Sequence, residues 1–419
     1  MKTKAVRMYG KKDLRLEEFE LPAVGAGEIL ARVVSDSICM SSYKAAEQGS
    51  DHKRVPNDIS ENPVMIGHEF CGEIVEVGRE WQGQFTPGMR FSIQPALNYR
   101  GSLDAPGYSY QFIGGDATHV LIPREVMEMN CLLEYQGDAF FMGSLAEPVS
   151  CIAGAFHANY HIRPGTYEHV MGIERGGKMA ILAGVGPMGL GAIDYAIHNP
   201  LRPSLLVVTD IDQARLDRAA SIYTVEEAQA HGVELHYINT GTGDAVASLM
   251  ALTNGEGYDD VFVFAPVRGV LEQGDAILGR DGCLNFFAGP TSPDFRAEMN
   301  FYDVHYAGHH IVGTSGGNTD DMREALDLMG RGVINPAAMI THVGGLGAVV
   351  ETTLNLPKIP GGKKLIYTSK DLPLVAIDEF ATLGKTDPFY AALGEICARN
   401  NGLWNGEAEA YLLEHARNV

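Results

Sequence analysis

The feature that most restricts what this chain can become is Gly184-Val185-Gly186-Pro187-Met188-Gly189. It follows a short apolar run, Met179-Ala-Ile-Leu-Ala, and opens an apolar segment, Leu190 to Ile197, that reads as a helix. The next apolar run, Leu205-Leu-Val-Val-Thr, ends on an acid, Asp210, about twenty residues further on. Strand, glycine turn, helix and acid in that order specify a dinucleotide seat. Gly184 allows the tight turn, Gly186 lets the backbone approach a pyrophosphate, and Gly189 lets the helix pack on its strand. Pro187 and Met188 complete the cofactor-binding turn, and the N-terminus of the helix that follows faces the diphosphate.

The neighbouring texture extends that unit. Val261-Phe-Val-Phe-Ala and Cys283-Leu-Asn-Phe-Phe-Ala are continuous apolar runs of the kind buried parallel strands show. Helical patterns lie between them, such as Asp212 to Ala220. The expectation over residues 151–318 is therefore an α/β, doubly wound parallel sheet. Asp210 would accept hydrogen bonds from the adenosine ribose hydroxyls and repel a 2′-phosphate, which favours NAD. Arg215 is close enough in sequence to reach the adenosine edge and leaves NADP open. A packing turn without ligand, or the nucleotide turn of a methyltransferase, would share part of this signature.

Residues 1–150 read differently. Glu28-Ile-Leu-Ala-Arg-Val-Val-Ser, Gly72-Glu-Ile-Val-Glu-Val-Gly and Ala117-Thr-His-Val-Leu-Ile-Pro are strand-length runs punctuated by glycine and proline, so this part is expected to be β-rich. Residues 319–370 begin with a helical pattern, Thr319 to Met329, and return to strand-like pieces. Residues 371–419 read as a helical tail, with Asp387 as an N-cap and Pro388 in the first helical position.

The net charge of −21 argues against nucleic acid and anionic membranes as partners. Six cysteines stand singly with no CxxC, and no apolar leader follows the first residues. Reduced thiols in the cytoplasm fit this better than a disulfide framework.

Four separated residues carry a second chemistry. Cys39 follows a strand in Ser37-Ile-Cys-Met-Ser-Ser42, His68 and Glu69 lie in Gly67-His-Glu-Phe-Cys-Gly72, and Glu147 lies in Leu145-Ala-Glu-Pro-Val. A thiolate, an imidazole and one or two carboxylates suit zinc. Taken singly, each has a plainer explanation, as a buried thiol or a helix-end charge.

In combination and in this order, these motifs resemble the zinc-containing medium-chain alcohol and polyol dehydrogenases, and Glu147 in place of a ligating cysteine resembles the sorbitol-dehydrogenase branch. The resemblance spans about residues 1–368. The segments Asn285-Phe-Phe-Ala-Gly-Pro, Gly316-Gly-Asn-Thr-Asp-Asp-Met and Leu356-Pro-Lys-Ile-Pro-Gly-Gly-Lys-Lys are further similar to reductases of L-sorbose 1-phosphate.

The resemblance implies a GroES-like catalytic domain beside a Rossmann domain, with a cleft between them. It implies Cys39, His68 and Glu147 as ligands of one catalytic zinc, Glu69 as an exchangeable or outer ligand, and Ser41 as the acceptor of the alcohol proton. Lys44 stands where some relatives place a relay histidine, and Ser42 where an aspartate is usual. The region Gln94 to Asp116 has no cysteine, so no structural zinc is expected. The implied substrate is a polyol or ketose, in particular a sugar phosphate such as L-sorbose 1-phosphate or glucitol 6-phosphate. Lys44, Lys53 and Arg54 are the basic groups that could receive its phosphate. A homo-oligomer is also implied. The alternatives are a free polyol, a secondary alcohol or a threonine-like substrate and, in another class, a non-catalytic NAD-binding sensor.

Overall fold

The structure, a computed structural model, describes residues 1–419 and divides into two compact units. The first comprises Met1–Pro148, Asn318–Arg331 and Pro336–Val419. The second comprises Val149–Gly317 and Gly332–Asn335.

The second unit is the expected doubly wound sheet. Its six strands are all parallel, in the order Glu234–Asn239, Leu205–Asp210, Lys178–Leu182, Tyr258–Val263, Leu278–Phe286, His310–Val312. The strand order changes sense beside Lys178–Leu182, and the glycine turn leaves from the end of that strand, where such sheets bind ligands. The strand buries Met179 to Leu182 completely, which explains its unbroken apolar sequence. The following helix runs from Pro187 to His198 and so starts one turn earlier than the apolar pattern alone predicts. Its first turn is made by Pro187 and Met188, which carry no apolar periodicity but satisfy the helix start.

The segment 159–177 contains a short hairpin of Tyr160–Ile162 and His169–Met171. It is tied to the sheet by buried polar groups. The Asn159 amide donates to Asp260 Oδ1 at 2.6 Å, the backbone N–H of Glu174 donates to Asp260 Oδ2 at 2.8 Å, and His161 Nε2 lies 3.3 Å from Asp260 Oδ1.

The first unit is β-rich. An eight-stranded sheet runs from Val375–Ala376 through Ile340–Gly345, Lys363–Tyr367, Ile29–Ile38, Phe70–Val77 and Arg90–Ile93 to Leu132–Glu134, with His119–Ile122 paired beside Ile29–Ile38. A separate three-stranded sheet contains Lys2–Gly10, Asp13–Glu20 and Val64–Met65. The tail is not a loose arm. Leu393, Ile396, Trp404 and Leu412 share one apolar core with Phe141, Leu145, Leu365 and Tyr367. At its centre the buried Glu409 carboxylate accepts the backbone N–H groups of Phe140 and Phe141 at 2.5 and 2.8 Å and the Tyr367 hydroxyl at 2.8 Å. Trp404 Nε1 donates to that same hydroxyl. Asp387 caps Pro388–Ala398 through the N–H of Phe389. No helix is long and apolar enough to cross a membrane.

Candidate metal centre and nucleotide turn

Strand Ile29–Ile38 delivers Cys39, which begins the helix Met40–Gln48 in an extended conformation. Antiparallel to that strand, Phe70–Val77 is preceded immediately by His68 and Glu69. Gly67 turns the chain inward with φ 88°, and a Cβ there would lie 2.5 Å from the Asp116 nitrogen, so glycine is required. Residues far apart in sequence thus meet: the donor atoms of Cys39, His68 and Glu69 all lie within 4.8 Å of one another. Thiol, imidazole and carboxylate converging in this way form a zinc donor set, so the residues present fit that metal.

The surrounding hydroxyls bind both ring nitrogens of His68. Ser41 Oγ lies 3.0 Å from Cys39 Sγ and 3.2 Å from His68 Nε2. Tyr108 Oη approaches the same nitrogen at 3.2 Å, while Ser42 Oγ sits 3.3 Å from Nδ1. Burial lowers the His68 pKa to about 4. Burial, reinforced by the Glu69 charge, raises the Cys39 thiol to about 12. Both groups are therefore neutral at pH 7 in the protein alone. A divalent cation bound there would supply the positive charge that a thiolate needs.

Glu69 has a partner that the sequence reading missed. Lys363 Nζ donates to both of its carboxylate oxygens, at 2.6 Å to Oε2, and the two side chains are buried together. Lys363 stands at the start of a buried strand, Lys363–Tyr367, and a lysine in an apolar strand is the one signal that could have exposed the pair. Tyr108, in a loop, had no such signal.

Glu147 is not one of the three converging donors. It lies in the first turn of Ala146–Ala158 rather than just before it, is half-buried, and its charge acts on Cys39, Tyr108 and Lys363. Lys44 lies one helical turn beyond Ser41, half-buried, and its charge is felt at His52.

In the second unit the glycines differ in what they tolerate. A Cβ on Gly189 would lie 2.1 Å from the Gly184 carbonyl oxygen, so close packing of helix on turn demands glycine. A Cβ on Gly186 would meet nothing nearer than Arg215 Nη2 at 3.7 Å, so the backbone there borders open space, as a pyrophosphate needs. Asp210 is buried at its strand end, and its Oδ1 accepts the N–H groups of Ile211 and Asp212 at 2.8 and 3.1 Å. Arg215 folds back onto the turn, with Nη2 donating to the Val185 carbonyl at 3.2 Å. His310 Nε2 lies 2.7 Å from Asp281 Oδ1, and its ring packs on Tyr160.

A metal donor set and a dinucleotide turn together define a metal-dependent nicotinamide oxidoreductase. Comparison with known proteins makes this specific. Residues 187–331 match the family model of the zinc-binding dehydrogenases, and residues 25–151 that of the alcohol dehydrogenase GroES-like domain. The chain is 54% identical over 417 residues to L-sorbose 1-phosphate reductase of Klebsiella pneumoniae, covering 100% of this chain and 98% of that protein. It is 54% identical over 413 residues to mannitol-1-phosphate 5-dehydrogenase of Aliivibrio fischeri, covering 98% and 97%. Among solved structures, 2R,3R-butanediol dehydrogenase of Bacillus subtilis superposes with a TM-score of 0.69 at 23% identity, covering 87% of this chain and 99% of that one, which supports the fold. This chain belongs to the zinc-binding dehydrogenase family, and it is an oxidoreductase of the alcohol and polyol dehydrogenase kind.

Proposed function

We propose that the chain interconverts a polyol phosphate and a ketose phosphate, with zinc and NAD as cofactors and NADP as the alternative that Arg215 would serve. The observation that carries this is the convergence of Cys39, His68 and Glu69 in a chain that also holds the Gly184–Gly189 turn. The names of the two relatives at 54% identity support the sugar-phosphate substrate. Free polyols, secondary alcohols and threonine-like substrates are the alternatives within the same chemistry.

Cys39, His68 and Glu147 would hold zinc, with Glu69 as an exchangeable or outer ligand and no structural zinc elsewhere. Bound there, zinc would provide Lewis acidity, and the dinucleotide would accept or give the hydride. The chain's own groups do the rest. Ser42, 3.3 Å from His68 Nδ1, would accept the proton on that nitrogen and so leave the Nε2 lone pair for the metal. Ser41, between Cys39 and His68, receives the hydroxyl proton of the polyol and passes it outward. Lys363 neutralises Glu69 until a cation competes for that carboxylate. Gly184, Gly186, Pro187, Met188 and Gly189 would cradle the pyrophosphate, while Asp210 would bind the ribose.

Activity with phosphorylated and free ketoses, measured with NADH and NADPH beside a zinc assay, tests the whole reading. Reduction of a ketose phosphate that stops on zinc removal and returns on reloading is the expected result. A chain that binds NAD yet turns over none of these substrates when zinc-loaded would be the sensor instead. We also propose a cytoplasmic homo-oligomer. The exposed Phe301, Tyr302 and Tyr306, with exposed Ile311 on the edge strand His310–Val312, support self-association, and light scattering in solution tests it.

A further inference from the structure

A phosphorylated substrate must find positive charge near the reacting carbon, in a chain whose net charge is −21. The charged and titratable neighbours that act on His68 are Glu69, Lys363, Arg54 and His52. Lys363 is consumed by Glu69. His52 is half-buried, and burial together with the charges of Arg54, Lys53 and Lys44 lowers its pKa, so it is neutral at pH 7. Arg54 is different. It makes no ion pair with a carboxylate, and the one acceptor of its guanidinium is the Leu103 carbonyl, 3.3 Å from Nη1.

Its position is fixed. The guanidinium carbon lies 5.7 Å from the centre of the Tyr108 ring, and that ring is 4.8 Å from the His68 ring, with its hydroxyl on His68 Nε2. His52 stacks on the same tyrosine, at 5.7 Å and 8°. The segment beneath is tied down as well: the Ser109 hydroxyl donates to the Arg54 carbonyl at 2.6 Å and accepts the N–H of Ala105 at 2.9 Å. A guanidinium held one aromatic ring away from the metal donors, with its Nε and Nη2 hydrogens uncommitted, has the planar fork that takes two phosphate oxygens at once.

We propose that Arg54 is the specificity-determining anchor for the substrate's phosphate, with Tyr108 as the spacer that sets its distance from the donors Cys39 and His68. The charges of Lys44 and Lys53 are also felt at the neighbouring His52. This rests on the sugar-phosphate reading above.

The test compares kcat/KM for a hexitol phosphate and for the same hexitol without phosphate, in the wild-type holoenzyme and in Arg54→Gln, with zinc per chain measured in both. The expected result is a fall in the preference for the phosphorylated substrate of about 30- to 100-fold, the scale of a lost partner for a charged group. The fall is carried by KM, with zinc content at the wild-type level. Inorganic phosphate should also inhibit the variant less than the wild type. Arg54→Lys, which keeps charge but not the fork, should recover only part of the preference. If the wild type handles the free hexitol as well as its phosphate, the sugar-phosphate reading itself fails and takes this proposal with it. If the wild type prefers the phosphate and Arg54→Gln keeps that preference, the anchor lies elsewhere and only this proposal falls. Loss of zinc, or equal loss with both substrates, assigns Arg54 a structural role and overturns the proposal.

Discussion

His68 in the first unit and His161 in the second are both buried beside a carboxylate, yet their chemistry is opposite. Around His68 the carboxylate of Glu69 is already held by Lys363, so burial dominates and the ring is neutral, with a pKa near 4. Around His161 burial also lowers the pKa. There, however, the hydrogen bond and charge of Asp260, with the Asp281 carbonyl at 2.9 Å, outweigh it and raise the value to about 9. A buried histidine whose neighbouring charge is spent elsewhere is a donor waiting for a cation. One whose neighbouring charge is free becomes half of an ion pair, and its work is structural. Burial and nearby acids alone do not separate a metal ligand from a fastening.

The contrast can be broken from either side. The largest effect is expected from His68→Ala, which should remove bound zinc and lower kcat/KM at least about 10³-fold, the scale of losing electrostatic stabilisation of the transition state. Far-ultraviolet circular dichroism should stay at the wild-type signal. Retained activity after chelation would end the metal reading.

Asp260→Ala attacks the other side. It strips His161 of its counter-charge and orphans the side-chain N–H of Asn159 and the backbone N–H of Glu174, and it should cost about 3–5 kcal/mol. Urea unfolding of the second unit measures this, and a loss below 1 kcal/mol, on the order of a surface pair, would mean that the pair does not fasten the 159–177 segment.

Lys363→Met tests what keeps Glu69 occupied. Freed from the ammonium, Glu69 should bind the cation more strongly, and zinc affinity should change about 10- to 100-fold, as for other outer partners of metal ligands. Zinc should then raise the melting temperature of the variant more than that of the wild type, and an equal rise would remove Glu69 from the site.

The smallest effect is a pH dependence. The folded pKa of His161 lies above its ordinary 6.5, so its stabilisation is complete below about pH 6.5 and fades as pH rises through about 9. Thermal scans at pH 7 and pH 10 should show a loss that His161→Gln reduces.

The turn Gly184–Gly189 was legible because its constraints are local: every residue that shapes it is within one βαβ unit, and Gly189 is required by a carbonyl only five residues back. Asp210, at the end of the next strand, was legible for the same reason. The helical tail was legible as helix through Asp387 and Pro388. That it shares a core with Phe141 and Tyr367 was not, because the contact of Glu409 with Phe140 and Phe141 spans most of the chain. Cys39, His68 and Glu147 were suggested by motif and order, not by spacing.

The sequence by itself therefore determined the second unit's sheet and the nucleotide turn, since period and turn chemistry are properties of neighbouring residues, and its motifs pointed to Cys39 and His68, which the fold brings together with Glu69. The tertiary structure alone decided which acids meet which bases. It gave Glu69 to Lys363, Asp260 to His161, and left Arg54 without a carboxylate beside the ring that touches His68. Electrostatic partnership depends on distance in space, and the pairing of strands as remote as Ile29–Ile38 and Lys363–Tyr367 sets those distances.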